Sequence, residues 1–220
     1  MSGSRDKTSS DGPVPKAVVT RLSLYLRELQ HILASGKETT SSTQLGSVLG
    51  FTDAQVRKDL AYFGQFGYPG IGYRCEELVT AIRRILGTDR TWNVALVGLG
   101  NLGRALIGYK GFQPQGFRIV VALEIDRTKV GQKIDDVPIR HLDDLAEIVR
   151  DMGIRVAIVA VPAEAAQGVA DRLVEAGITG ILNFAPVTVS VPASVSKVGV
   201  DLAIQLEQLS FSIMSGEQRS

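Results

Sequence analysis

At 220 residues, 45% hydrophobic and a net charge of +1, the chain can bury one or two ordinary cores and is neither a strongly basic nor a strongly acidic protein. Charges interrupt every apolar run before the roughly 18 residues of a membrane-spanning helix, and Met1 to Val14 is polar, without the apolar centre of a signal peptide. Cys75 is the one cysteine, so an intrachain disulfide and a cysteine-built metal cluster are excluded, which fits a reducing, cytoplasmic setting.

Residues 1–17 read as a disordered leader rich in Ser, Gly and Asp. Residues 18–87 then read as a first domain. Arg21 to Ala34 places Leu22, Tyr25, Leu26, Leu29 and Leu33 on one helical face, and His31 sits in this core-packed helix. A short helix follows over Ser42–Leu49. A third begins at Thr52-Asp53-Ala54-Gln55, where the threonine caps, Gln55 is expected to reach back as in a capping box, and Asp53 suits the positive end. On that helix Val56, Leu60 and Phe63 share one side, while Ala54, Arg57, Lys58 and Ala61 share the other. Small residues beside two cations let a helix lie close in a major groove; a plain solvated face is the alternative. The helix-turn-helix spans about 25–64. Residues 66–74 predict a compact hairpin, a wing, with Tyr68 and Tyr73 flanking a tip around Gly70 and with Arg74 nearby. A helix from Glu76 to Leu86 closes the domain. Net charge is +3 up to Gly87 and −2 beyond it, in agreement with a boundary near Gly87-Thr88-Asp89-Arg90.

Residues 91–200 predict a Rossmann-type, doubly wound parallel sheet. The apolar run Val94–Val97 leads into Gly98-Leu99-Gly100-Asn101-Leu102-Gly103 and a helix start. In such a unit Gly98 makes the tight turn, Gly100 leaves room for a pyrophosphate, and Gly103 lets helix pack on strand. A second strand, Arg118–Leu123, ends in Glu124-Ile125-Asp126. Glu124 lies 21 positions after Gly103, where an acid can accept from an adenosine ribose, which favours NAD(H) over its 2′-phosphorylated form. Arg127 and Lys129 follow closely and weaken that preference. Further on come an extended piece at Val137–Ile139, a helix over Leu142–Met152, and a buried strand, Arg155–Val161, ending at Pro162 where its loop faces a ligand. A helix over Glu164–Ala176 and a strand over Ile178–Phe184 complete the sheet. The last helix, residues 201–215, carries Leu202, Leu206, Leu209, Phe211, Ile213 and Met214, a wide apolar surface that calls for a dimer contact.

Several segments together, Gln55–Leu60, Phe63-Gly64, Gly70–Tyr73, Gly98–Leu106, Lys129–Gly131, Asn183–Pro186 and Asp201-Leu202, resemble the Rex redox-sensing transcriptional repressors, in order and from about Val18 to Met214. The resemblance implies a homodimer that binds an inverted-repeat operator in double-stranded DNA and is released by NADH, with the last helix exchanged between subunits. With the helix-turn-helix reading, it makes Ser42, Thr43, Ala54, Gln55, Arg57, Lys58, Ala61, Tyr62, Gly70 and Arg74 the DNA-binding set. The cofactor set for NADH and NAD⁺ is Gly98, Leu99, Gly100, Asn101, Leu102, Gly103, Glu124, Ile125, Asp126, Lys129, Val161 and Pro162. The resemblance adds Tyr109, and Asp201 of the other subunit, at the nicotinamide end. It also implies Asp where this chain has Glu124.

Two rivals share the Rossmann reading: an NAD-dependent oxidoreductase, and a nucleotide- or CoA-binding partner protein. The oxidoreductase lacks obvious acid–base groups, since His31 lies in the first domain and His141 is read as distant from the strand ends, so no catalytic residue is expected. One cysteine and two distant histidines do not make a zinc site, so no metal is expected either.

Overall fold

In the computed structural model, which describes residues 14–217, the chain passes from Pro15 directly into α1 (Lys16–Ala34). Lys16 and Ala17, read above as leader, form its first turn. The helix starts there because the fixed φ of Pro15 suits a helix entrance. Residues 1–13 lie outside the described residues. α1 buries Val18, Leu22, Tyr25, Leu26 and Leu29 at helical spacing, whereas the His31 side chain faces solvent, 79% exposed.

Next come β1 (Thr39–Thr40), α2 (Ser42–Leu49), α3 (Asp53–Ala61), β2 (Tyr73–Arg74) and α4 (Cys75–Leu86). The capping box belongs to α2: Ser41 Oγ accepts from the Gln44 N–H at 3.1 Å, and Gln44 Oε1 accepts from the Ser41 N–H at 3.1 Å. At α3 the box is half made. Thr52 Oγ1 accepts from the Gln55 N–H, but the Gln55 amide turns forward to Asp59, a buried carboxylate that outcompetes the exposed Thr52 backbone.

The wing also differs from a two-stranded hairpin. Tyr68 and Gly72 form an isolated bridge around the tip, and β2 pairs antiparallel with β1, Thr39 opposite Arg74 and Thr40 opposite Tyr73. Tyr73 is therefore 7% exposed and part of the core with Leu45, Val56 and Leu78, while Tyr68 stays outside.

A second compact unit begins at Thr91. Its elements are β3 (Trp92–Val97), α5 (Asn101–Ile107), β4 (Phe117–Glu124), β5 (Lys133–Ile134), β6 (Val137–His141), α6 (Leu145–Asp151), β7 (Val156–Val159), α7 (Ala163–Glu175), β8 (Gly180–Asn183), β9 (Ser196–Gly199) and α8 (Leu202–Glu217). The sheet order is β5-β6-β4-β3-β7-β8-β9. All neighbours are parallel except β5, which returns on β6 through Asp135 and Asp136, both at positive φ. Alternation along the central strands shows the double winding. Ala95, Val97, Val121, Leu123, Ala157 and Val159 pack on α6 and α7; Val94, Leu96, Ala122 and Ile158 pack on the opposite face, toward Leu106 and Ile107 of α5. The strand order reverses between β3 and β7, the switch point at whose carboxyl edge such sheets bind ligands.

Candidate functional sites

The first site is the exposed side of α3. Ala54, Arg57, Lys58 and Ala61 all face solvent, while Val56, Asp59 and Leu60 are buried. What holds this helix in place is a charged network that periodicity does not reveal. The Asp59 carboxylate, 1% exposed, accepts from Arg21 Nε and Nη2, from the Tyr25 hydroxyl at 2.8 Å and from the Gln55 amide at 2.8 Å. Burial pushes the Asp59 pKa up, but the bonds from Arg21, Tyr25 and Gln55 outweigh it and leave the carboxyl below its ordinary range. Asp59 is thus a charge pinning α3 to α1. An acid in the midst of an apolar helical face was the available signal.

Arg57 Nη1 is bound to Asp53 Oδ2 at 2.8 Å and donates to Ser42 Oγ at 3.2 Å. Ser42 is buried at the start of α2, and Thr43 beside it is exposed. Gln55 is half-buried on Asp59, and Tyr62 caps the end of α3 half-buried beside Phe63. Gly70 stands at the exposed wing tip, and Arg74 lies over the Tyr68 ring and bonds Glu77 at 3.3 Å. Within this unit, then, Arg57, Lys58 and the two alanines form one open face, and Arg74 belongs to the base of the wing.

The second site lies at the carboxyl edge of the parallel sheet. Gly98 has φ +98°, and a Cβ there would stand 2.5 Å from the Ala160 carbonyl oxygen. A Cβ on Gly103 would collide with the Gly98 carbonyl, whereas one on Gly100 would meet nothing within 4 Å. Two of the glycines therefore serve the turn, and the third leaves space beside it. That space is a cavity of about 560 Å³ lined by Gly98, Leu99, Gly100, Asn101, Leu102, Glu124, Ile125, Val161 and Pro162, together with Leu142, Ala165, Val169 and Phe184 among others. Phe184 follows β8 as Val161 follows β7, so the strand-end rule that marked Val161 applies equally to it.

Glu124 is the one ionisable residue in that lining. Its carboxylate accepts from the N–H groups of Ile125 (2.8 Å), Asp126 (3.3 Å) and Leu99 (3.3 Å) and from Lys129 Nζ (3.1 Å). Burial raises its pKa, and these bonds reverse the shift, so it is held ionised and paired below the usual carboxylate range. Glu124 thereby ties the glycine turn to the end of β4. Lys129 also lies 3.7 Å from Asp126, which is exposed in the following turn. His141 stands at the end of β6, with Nε2 3.2 Å from the Ile125 carbonyl oxygen, so it is at a strand end rather than distant from one. It is absent from the cavity lining.

Tyr109 and Asp201 are placed elsewhere. Tyr109 lines a larger hollow of about 680 Å³ with Arg118, Asp135 and Asp136, away from the strand ends. Asp201 caps α8, accepting from the Ala203 N–H at 2.9 Å, and lines a third hollow beside β9. Beyond it Leu202, Ile204, Leu206, Leu209, Phe211, Ile213 and Met214 are all 46–74% exposed. No described helix is long and apolar enough to cross a membrane.

Known proteins share these arrangements. Residues 89–187 match the family model "CoA binding domain" and residues 13–61 the model "Putative DNA-binding protein N-terminus". The "Redox-sensing transcriptional repressor Rex" of Carboxydothermus hydrogenoformans is 48% identical over 200 residues, covering 91% of this chain and 96% of the relative. The chain belongs to the Rex family. The Rex protein of Streptomyces coelicolor is 44% identical, over 94% of this chain and 80% of its own. Among solved structures, a Rex-family repressor, RSP, superposes with a TM-score of 0.88 in its complex with beta-NAD+ and operator DNA, at 36% identity over 94% of this chain and 96% of that one. Its complex with beta-NADH superposes with a TM-score of 0.84, at 35% identity over 94% and 98% of the two chains. The winged helix-turn-helix and the Rossmann-type sheet are thus the Rex architecture, and the chain is a redox-sensing transcriptional repressor of that family.

Proposed function

We propose that this Rex protein binds operator DNA as a homodimer in the cytoplasm, with α3 in the major groove, and that NADH in the glycine-turn cavity releases it. The observation that carries the reading is the cavity itself, which gathers Gly98, Gly100, Glu124, Val161 and Pro162 from three strand ends around one space. Gly98, Leu99, Gly100 and Asn101 would hold the pyrophosphate, with Gly103 packing the helix beneath them, and Glu124, Asp126 and Lys129 would border the ribose. When bound, the dinucleotide supplies a neutral or a cationic nicotinamide ring according to its oxidation state. The lining is apolar apart from Asn101 and a carboxylate already paired with Lys129, so it favours the neutral, reduced ring. A ligand shifts an equilibrium only by its differential affinity, and a coupling of about 1–3 kcal/mol changes operator affinity roughly 5–150-fold. The deciding measurement is operator affinity titrated with NADH and with NAD⁺. NADH is expected to weaken binding within that range and NAD⁺ to leave it nearly unchanged; equal effects of the two end the redox reading.

The chain acts as a repressor and not as an oxidoreductase. Hydride transfer needs a placed acid or base, and the cavity lining offers Glu124 alone, held by four donors. Calorimetry with NADH and with coenzyme A separates this reading from the second ligand class that the "CoA binding domain" match brings in.

A further inference from the structure

We propose that Asp53 is a positioning residue for operator recognition, holding the Arg57 guanidinium in one orientation so that its free edge reads a guanine. The inference rests on the reading of α3 as the recognition helix and adds how its arginine is aimed.

Arg57 rises from α3 one turn after Asp53. Its Nη1 is shared between Asp53 Oδ2 at 2.8 Å and Ser42 Oγ at 3.2 Å. Ser42 is not a mobile anchor: it is 9% exposed, in the first turn of α2. The guanidinium is therefore held from two sides, by its own helix and, through Ser42, by α2. Among the described residues, Nε and Nη2 have no protein partner. They form the planar two-donor edge that matches guanine O6 and N7 in a major groove. An arginine with four free torsions loses side-chain entropy when it engages a base; one already held loses less, and a mispaired base cannot be met by swinging the group aside.

The carboxylate has an opposite effect on affinity at large. A negative charge at the DNA face repels phosphates, so Asp53 weakens binding to any duplex while sharpening the choice among duplexes. That contrast separates a positioning role from an ordinary helix i,i+4 ion pair, whose loss alters stability slightly and leaves base preference alone.

The test uses duplexes enriched from a random library by the full-length protein, then each single-base-pair variant of the best one, titrated by fluorescence anisotropy without dinucleotide. Arg57→Ala is expected to flatten discrimination at one base pair per half-site. Asp53→Asn should lower discrimination at that same base pair about tenfold, while affinity for a random duplex holds or rises; Asp53→Glu should restore it. If Arg57→Ala flattens that position and Asp53→Asn does not, the positioning role is refuted and the recognition helix stands. If Arg57→Ala flattens no position, the recognition-helix reading fails and the positioning role with it. A uniform loss across all base pairs in Asp53→Asn, accompanied by a lower thermal midpoint, marks a structural pair and also refutes the proposal.

Discussion

Asp59 is a carboxylate with four donor atoms and almost no exposure, and its removal leaves a guanidinium, a hydroxyl and an amide without their shared acceptor. Breaking a buried ion pair by deleting one partner costs about 3–5 kcal/mol; because Arg21 is 20% exposed, Asp59→Ala is expected at about 3 kcal/mol in denaturant unfolding. Folding lowers the Asp59 pKa, so its ionised form stabilises the native state fully above the unfolded value of about 4. That contribution is lost as pH falls through the folded value, and an Asp59→Asn protein should show a flatter decline in stability below about pH 4. The glycines separate in the same way. Gly100→Val should keep the thermal midpoint and operator binding of the parent and lower NADH affinity by at least about tenfold in calorimetry, because a Cβ there meets no protein atom within 4 Å and the side chain adds bulk at the cavity lining. Gly98→Ala, with a Cβ against the Ala160 carbonyl, should cost the sheet domain its stability as well.

Among the elements, α1, α4 and α7 were legible because each shows its buried face at three- and four-residue spacing, as Leu22, Tyr25, Leu26 and Leu29 do in α1. The glycine turn was legible because its demands are local. Competition and backbone-only pairing were not. Gln55 had two acceptors in reach, and the choice fell to the buried Asp59 charge, held in place largely by α1's arginine and tyrosine. β1 is two threonines long, and β9 is Ser-Lys-Val-Gly with every residue exposed, so neither carries an alternation to read. The cap at Ser41 escaped notice because Ser41, Ser42 and Thr43 can each start a helix. Its reciprocal geometry predicts that Ser41→Ala destabilises the first domain by about 1 kcal/mol in thermal or urea unfolding, while Ser47→Ala, on the exposed side of α2, costs far less.

At the scale of the whole molecule, the cavity was readable from one chain, whereas Tyr109 and Asp201 line other hollows, and the placement expected for Asp201 belongs to a second subunit. Leu206→Asp with Leu209→Asp should yield a monomer in analytical ultracentrifugation and weaken operator binding by more than a hundredfold, since one half-site contact is lost along with the avidity of two. NADH affinity in the same variant reports whether the cavity works alone.

α8 also bears on gene dosage. If the proposed dimer forms through this helix, whose seven large apolar residues are exposed in the single chain, mass action shelters it, and below the pairing constant the active species varies with the square of protomer number. Halving the cellular supply of such a repressor would then quarter the operator-competent pool, and derepression could follow dilution during rapid growth with no change in the coenzyme ratio at all.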